Sequence, residues 1–231
     1  MPFTAEQPTP QSSIVTRGMV LTVLFFFIVS FVNRGINTAI GISEWSPLSF
    51  TISRFFYWLW LALIFVYVWR LEHQPLLRWP EKTYGAGFYF ASIFGIMLTL
   101  VIGTNIIARL LMLFGLFKRS DAMVGIAQFS LLLKVFISLT AAVVEEFIFR
   151  GYLMPRVQLF FKGVHWPVIF TSVLFGLAHM RWGTIVNVLG PMFIGFIFAC
   201  HYQKYRNIKV LMVCHFLWDI VGLILIGHAA K

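Results

Sequence analysis

The chain has 231 residues, 60% of them hydrophobic and only 11% charged, with a mean hydropathy of +0.87. That composition excludes a soluble globular domain, and the length suits one polytopic membrane domain with no second folded unit. The formal net charge of +10 does not describe a nucleic-acid surface. The 18 Lys and Arg are scattered between apolar runs, where they orient a membrane protein and meet anionic lipid headgroups.

Residues 1–13 (MPFTAEQPTPQSS) are polar, hold three prolines and lack a basic cluster, and read as a short disordered tail rather than a cleavable signal peptide. The first span covers residues 14–32, with Arg17 close enough to its end to snorkel. A loop over 33–49 leads to a second span over 50–69, in which Arg54, Trp58, Trp60 and Trp69 read as interface anchors. The charged, proline-bearing stretch 70–83 is a loop. A third span follows over 84–107, and residues 106–117 form a half-span or an interfacial helix.

The fourth long helix starts near Ala122 or Leu131 and runs to about Phe160, with Pro155 kinking it or ending it early. Lys162-Gly163 is the turn, and three more spans cover 165–180, 185–202 and 209–227. The expected fold is an all-α polytopic membrane protein, a bundle of about seven transmembrane helices, or eight if 106–117 also crosses. It divides into the tail (1–13), N-terminal transmembrane helices (14–120) and a catalytic helical core (121–231) within one integral domain. On seven spans, the loops around Arg70, Arg78, Lys82, Arg156, Lys162, Lys204, Arg206 and Lys209 share a side with Arg17. Arg34, Arg54, Lys118, Arg119, Arg181 and Lys231 fall on the other, which puts the N-terminus in the cytoplasm. Cys200 and Cys214 have no CxxC spacing and read as free thiols. Asn105 and Asn187 read as interhelical hydrogen-bonding groups, and Gly190, Gly195 and Phe193 as close helix contacts near the site.

Three polar groupings interrupt the apolar runs of the C-terminal half. The first is Glu145-Glu146-x-x-x-Arg150. Ionisable groups at membrane depth cost about 2.5–3.5 kcal/mol each on insertion scales, so a functional reading is the default. Glu146 and Arg150 are four apart and can pair, whereas Glu145 lies roughly 100° around the helix without a local partner. The second is Phe175-Gly-Leu-Ala-His179, and the third is His215-Phe-Leu-Trp-Asp219, whose polar ends share a helix face. Glu145 lies about 17 residues before the expected turn and His179 about 17 after it. At ~1.5 Å per residue both fall about 25 Å from the turn, so they can meet across the hairpin.

Such a set is suited to hydrolysis. A buried glutamate can act as general base toward water, with His179 orienting that water. His215 and Asp219 can stabilise an oxyanion or hold the scissile carbonyl. Glu145, His179, His215 and Asp219 are equally an N/O ligand set for a divalent zinc ion, although no HExxH is present.

The segments EEFIFRGYL, FGLAH and HFLWD stand in the order and approximate spacing of the CPBP family (CAAX proteases and bacteriocin-processing enzymes, also called Abi proteins). Over about residues 140–220 the chain resembles a bacterial member of that family; the first 120 residues carry none of its motifs. The resemblance implies an intramembrane endopeptidase of the inner membrane, of the same class as the Ras-converting CAAX endopeptidase. Its substrate would be a membrane-bound or lipidated protein or a leader peptide. It assigns water activation to Glu145 and His179, and oxyanion or substrate positioning to His215 and Asp219. Glu146, Arg150 and Phe175 would support them. Asp219 stands where the CAAX-cleaving enzymes have Asn, and a carboxylate cannot donate to an oxyanion unless protonated. Members have been described both as metalloproteases and as glutamate-type proteases. The alternative function is a non-catalytic Abi-type self-immunity protein or membrane partner. A proton-coupled transporter would explain buried Glu and His, but not all three motifs together.

Overall fold

The computed structural model describes residues 12–161 and 163–229. Residues 1–11 of the expected tail, Lys162 of the expected turn and Lys231 lie outside the described residues, whereas Ser12 and Ser13 already belong to the first helix. Among the described residues the chain forms helices and connecting turns and no strand. The all-α expectation holds.

In chain order the helices are α1 (Ser12–Ala39), α2 (Pro47–Tyr67), α3 (Ala86–Leu113), α4 (Asp121–Ala127), α5 (Leu131–Thr140), α6 (Met154–Phe160), α7 (His165–Ala178), α8 (Val186–Tyr205) and α9 (Ile208–Ala229). α2 continues through a π-helical turn, Val68–Glu72. α5 and α6 are the two ends of one helical run joined by π-helical stretches Ala141–Glu145 and Phe147–Leu153. Among the described residues five helices are long and apolar enough to cross a membrane: Ser12–Ala39, Pro47–Glu72, Ala86–Leu113, Val186–Tyr205 and Ile208–Ala229. The shorter α7 and the run from α5 to α6 lie among them and carry two of the three motifs.

Several helix ends follow from local chemistry. Ser46 caps α2 by accepting from the Ser49 backbone N–H, with Pro47 at the first helical position, where its missing N–H costs nothing. Ser120 and Ser130 cap α4 and α5 in the same way. Pro155 neither ends the fourth long helix nor breaks it. The π-helical turns immediately before it widen the helix where a proline ring would meet the carbonyl of residue 151.

Some expectations are corrected. α1 extends through the predicted loop to Ala39, where Asn33 and Asn37 tie it across the bundle to α2, both donating from Nδ2 to Ser49 Oγ at 3.1 and 2.6 Å. Residues 106–117 form no separate span, since α3 runs past Arg109 to Leu113. Arg156, counted as a loop charge, is fully buried against Glu72 at 2.6 Å. Asn105 and Asn187 bond locally, to Val101 O and Trp182 O. The reading of both cysteines as free thiols, by contrast, agrees with the structure.

The core lies where α1, α2, α7, α8 and α9 surround the α5–α6 run. Val144, Ile148, Phe149, Tyr152 and Leu153 pack on Phe26, Tyr57, Leu61 and Ile64 from one side. Met154 joins Phe198, Tyr202, Leu211 and Cys214 on the other. α7 and α8 approach closely at Gly176, where a Cβ would stand 2.8 Å from Val188 O. α3 is peripheral, presenting Phe90, Phe94, Leu113 and Phe114 outward as a lipid-facing helix would.

Candidate active site

The double glutamate stands where the helix changes pitch. Glu145 ends one π-helical stretch and Glu146 precedes the next. Such widened turns occur mostly as single insertions in α-helices and are frequent at functional sites. Here they set two adjacent carboxylates to different tasks.

Glu146 is fully buried, and its Oε1 accepts from Arg150 Nη1 at 2.9 Å and from His215 Nδ1 at 2.8 Å. The same residue therefore closes the predicted i, i+4 pair and ties the third motif on α9 to the first. Arg150 donates its other arm to Gly195 O at 3.0 Å, and its guanidinium lies 4.8 Å over the Phe175 ring. Phe175 in turn has its ring centroid 4.9 Å from that of His179 and 5.9 Å from that of His215. The supporting phenylalanine is the wall between the two imidazoles.

His215 lies between two carboxylates. Nδ1 donates to Glu146, while Nε2 stands 3.6 Å from Asp219 Oδ2, one helical turn on. Satisfying both neighbours takes an N–H on each nitrogen. The group fixing the tautomer at Nδ1 is Glu146, in another helix, whereas the i, i+4 spacing pointed to Asp219. The Asp219 side chain is 30% exposed and can reach a ligand.

His179 caps the C-terminus of α7, and its Nδ1 lies 2.8 Å from Phe175 O. A carbonyl only accepts, so the proton is on Nδ1 and the neutral ring offers its Nε2 lone pair. Glu145 is buried, and its Oε2 has no hydrogen-bond partner. It makes no direct contact with His179, but each lies in the other's electrostatic field, and the field of Glu145 also reaches His215 and Asp219. An orphaned buried carboxylate oxygen within the electrostatic reach of an uncommitted imidazole nitrogen suits a bound water.

Among the described residues no three His, Cys, Asp or Glu are grouped so as to hold a metal ion. His215 Nδ1 is committed to Glu146 and His179 Nδ1 to a carbonyl, which leaves Nε2 of each ring as the nitrogen that a ligand would meet.

One residue of the site escaped the sequence reading. Arg54, taken there for an interface anchor, is only 6% exposed, and its guanidinium lies 4.4 Å over the Tyr57 ring. It acts electrostatically on Asp219 and His179. The signal was its depth, seven residues into the helix that starts at Pro47, too far in for the head group to snorkel out easily. The other predicted anchors diverge as well. Trp58 donates to Thr140 Oγ1 at 3.1 Å, Trp60 stacks on Phe25 at 4.4 Å, and Trp69 alone is well exposed. Of the glycines expected near the site, Gly195 touches Phe175, whereas a Cβ on Gly190 would meet nothing.

All three motifs thus converge on one buried cluster contributed by the α5–α6 run, α7 and α9. No curated protein and no solved structure matches the chain. A family model does match, over residues 127–221, a segment that begins just before α5 and takes in the double glutamate, both histidines and Asp219. Over that segment the chain is similar to the Rce1-like family, the type II CAAX prenyl endopeptidase Rce1-like proteins.

Proposed function

We propose that this protein is an intramembrane endopeptidase that cleaves a membrane-bound or lipidated protein or a leader peptide, with Glu145 and His179 activating the attacking water. The observation that carries this reading is the buried Glu145 Oε2 without a partner, set in the field of an imidazole whose Nε2 is uncommitted. The family description supports the reaction class.

In this mechanism a water bridges Glu145 and His179 Nε2. Glu145 takes one proton as the water oxygen attacks the scissile carbonyl carbon, whose π pair moves onto its oxygen. His215, held at Nδ1 by Glu146, turns its Nε2 edge toward the developing oxyanion as an N–H donor, and Asp219 orients that edge and the peptide. The oxyanion pair then re-forms the carbonyl and the C–N bond breaks as Glu145 returns its proton to the leaving nitrogen, giving a carboxylic acid and an amine, which exchange a proton to leave carboxylate and ammonium. Arg150 and Glu146 position the machinery without touching the peptide. The loop charges support an N-terminus on the cytoplasmic side, since burial of Arg54 and Arg156 removes one charge from each side of that balance.

The test is cleavage of a prenylated peptide by the purified protein in proteoliposomes, with Glu145→Ala and His179→Ala compared with wild type. Both variants insert and express, and both lose cleavage. Full activity in both variants overturns the reading. Chelator treatment of the active wild type decides separately whether the reaction needs a metal.

A further inference from the structure

Ser138, two helical turns before the double glutamate, has no part in the proposed chemistry. Its side chain is fully buried, and Oγ has no hydrogen-bond partner in the protein. A serine or threonine inside a helix ordinarily donates to the carbonyl one turn back, and other buried ones do so here. Thr22 donates to Gly18 O at 2.8 Å, Thr171 to Pro167 O at 2.7 Å and Ser172 to Val168 O at 2.6 Å. A buried hydroxyl left unmet is destabilising, and internal water is the usual partner of one that the protein does not satisfy.

Its position decides what that water meets. Ser138, Ala142 and Glu145 stand at i, i+4 and i+7 along the α5–α6 run, on one stripe of a helix that packs against α9. The two run antiparallel: Gly227 lies against Ala127, Leu223 shares a core cluster with Ile137, and His215 bonds Glu146. Ser138 therefore comes level with the turn of α9 that begins at Asp219. Ala142, fully buried and ending at its Cβ, fills little of the space between Ser138 and Glu145. Two carboxylates converge on that space, and Glu145 acts on Asp219 more strongly than Glu146 does. Like charges so placed repel, and a donor between them relieves it. A carboxylate offers about four acceptor positions, of which the attacking water takes one at Glu145. Water that accepts from the Ser138 hydroxyl keeps both of its own hydrogens for Glu145 and Asp219. That makes about three bonds, the usual count for a buried water.

We propose that Ser138 anchors internal water between Asp219 and Glu145, and through that water holds the Glu145 carboxylate in position to act as base. This rests on the hydrolytic reading given above. Ser138 touches neither the peptide nor the attacking water, so it is a positioning residue. In the proteoliposome assay Ser138→Ala should lower kcat by about three- to tenfold, the rate equivalent of one hydrogen bond, with KM unchanged. Ser138→Thr, which keeps the hydroxyl, should recover most of the rate. Because the residue acts through Glu145, adding Ser138→Ala to Glu145→Gln should lower the residual rate no further. Equal losses in the wild-type and Glu145→Gln backgrounds overturn the positioning role. So does a Ser138→Ala protein that cleaves at the normal rate.

A structure of the protein in lipid nanodiscs, at a resolution that shows ordered water, separates the two proposals. Water within hydrogen-bond distance of Ser138 Oγ and continuous with Glu145 is the expected result, and Ser138→Ala should lose it without a change of fold. If the wild type cleaves nothing, the hydrolytic mechanism falls, while water bound at Ser138 would still establish the site. If the wild type cleaves in a Glu145-dependent way and no water stands at Ser138, the water site falls alone.

Discussion

Two buried ionic clusters stand side by side in this bundle, and they are built on opposite principles. Around Glu72 every group is met. Oε1 accepts from Tyr152 Oη at 2.8 Å, and Oε2 from Arg156 Nε and Nη2 at 2.8 and 2.6 Å. Arg156 Nη1 donates to Leu76 O and Tyr152 O at 3.2 and 3.1 Å. Around the double glutamate, by contrast, Glu145 Oε2, Glu146 Oε2 and Arg150 Nε are buried without partners. Native interiors leave few such atoms, each of which costs about 1–3 kcal/mol. A satisfied cluster serves the fold, fastening the end of α2 to α6. A cluster with orphaned oxygens holds capacity for something that arrives. The difference between lock and site is legible in hydrogen-bond satisfaction, because both clusters are buried and both hold ionisable groups.

Exchanging Glu145 and Glu72 for glutamine breaks the comparison most directly. Glu145→Gln removes a general base, so cleavage should fall by about 10²–10⁴-fold while thermal stability in detergent stays near wild type. Glu72→Gln should do the reverse. It leaves Arg156 buried without its counter-charge, at about 3–5 kcal/mol, and lowers the unfolding temperature, yet the molecules that remain folded should cleave at close to the normal rate. Equal stability losses in the two variants would show that orphaned atoms do not mark the site.

A smaller effect is expected at the wall between the histidines. A Cβ at Gly195 would stand 3.2 Å from Phe175 Cδ1 and 3.3 Å from its Cβ. Gly195→Ala should therefore push the Phe175 ring toward His179 and His215, costing about 1–3 kcal/mol as mild overpacking does. Because that ring separates the two imidazoles, kcat should drop more than stability would suggest, several-fold in the same cleavage assay. Full activity at reduced stability would make Phe175 a packing residue only.

What the sequence revealed and what it hid follow one physical rule. Glu146–Arg150 was visible because helix geometry makes i, i+4 residues neighbours, and the apolar runs were visible because a helix needs a certain length of them to cross a bilayer. Glu72–Arg156 was invisible because its partners are 84 residues apart and the stretch containing Glu72 looked like a polar loop. The link from Glu146 to His215, across 69 residues, was hidden for the same reason, behind the nearer Asp219. Arg54 was misread because an arginine near the end of a span usually snorkels, and only the start of α2 at Pro47 shows how far inside it lies. The π-helical pitch around the glutamates has no sequence period of its own, and Pro155 was its one hint.

The weakest expected effect tests whether α2 itself belongs to the site. Trp58 on α2 donates to Thr140 Oγ1 at 3.1 Å, immediately before the first π-helical stretch. Arg54 lies one helical turn before Trp58, so this bond helps hold its guanidinium in register with Glu145. Thr140→Val keeps the shape and removes the acceptor. Interhelical hydrogen bonds in membrane proteins average about 0.6 kcal/mol, so the unfolding temperature should move only slightly. If the bond merely joins two helices, the cleavage rate should change by less than about twofold, in line with that energy. A larger fall in kcat/KM with kcat unchanged would mean that register between α2 and the glutamate helix is part of substrate binding. A larger fall in kcat itself would place the effect on Glu145, through the π-helical turn that begins one residue after Thr140.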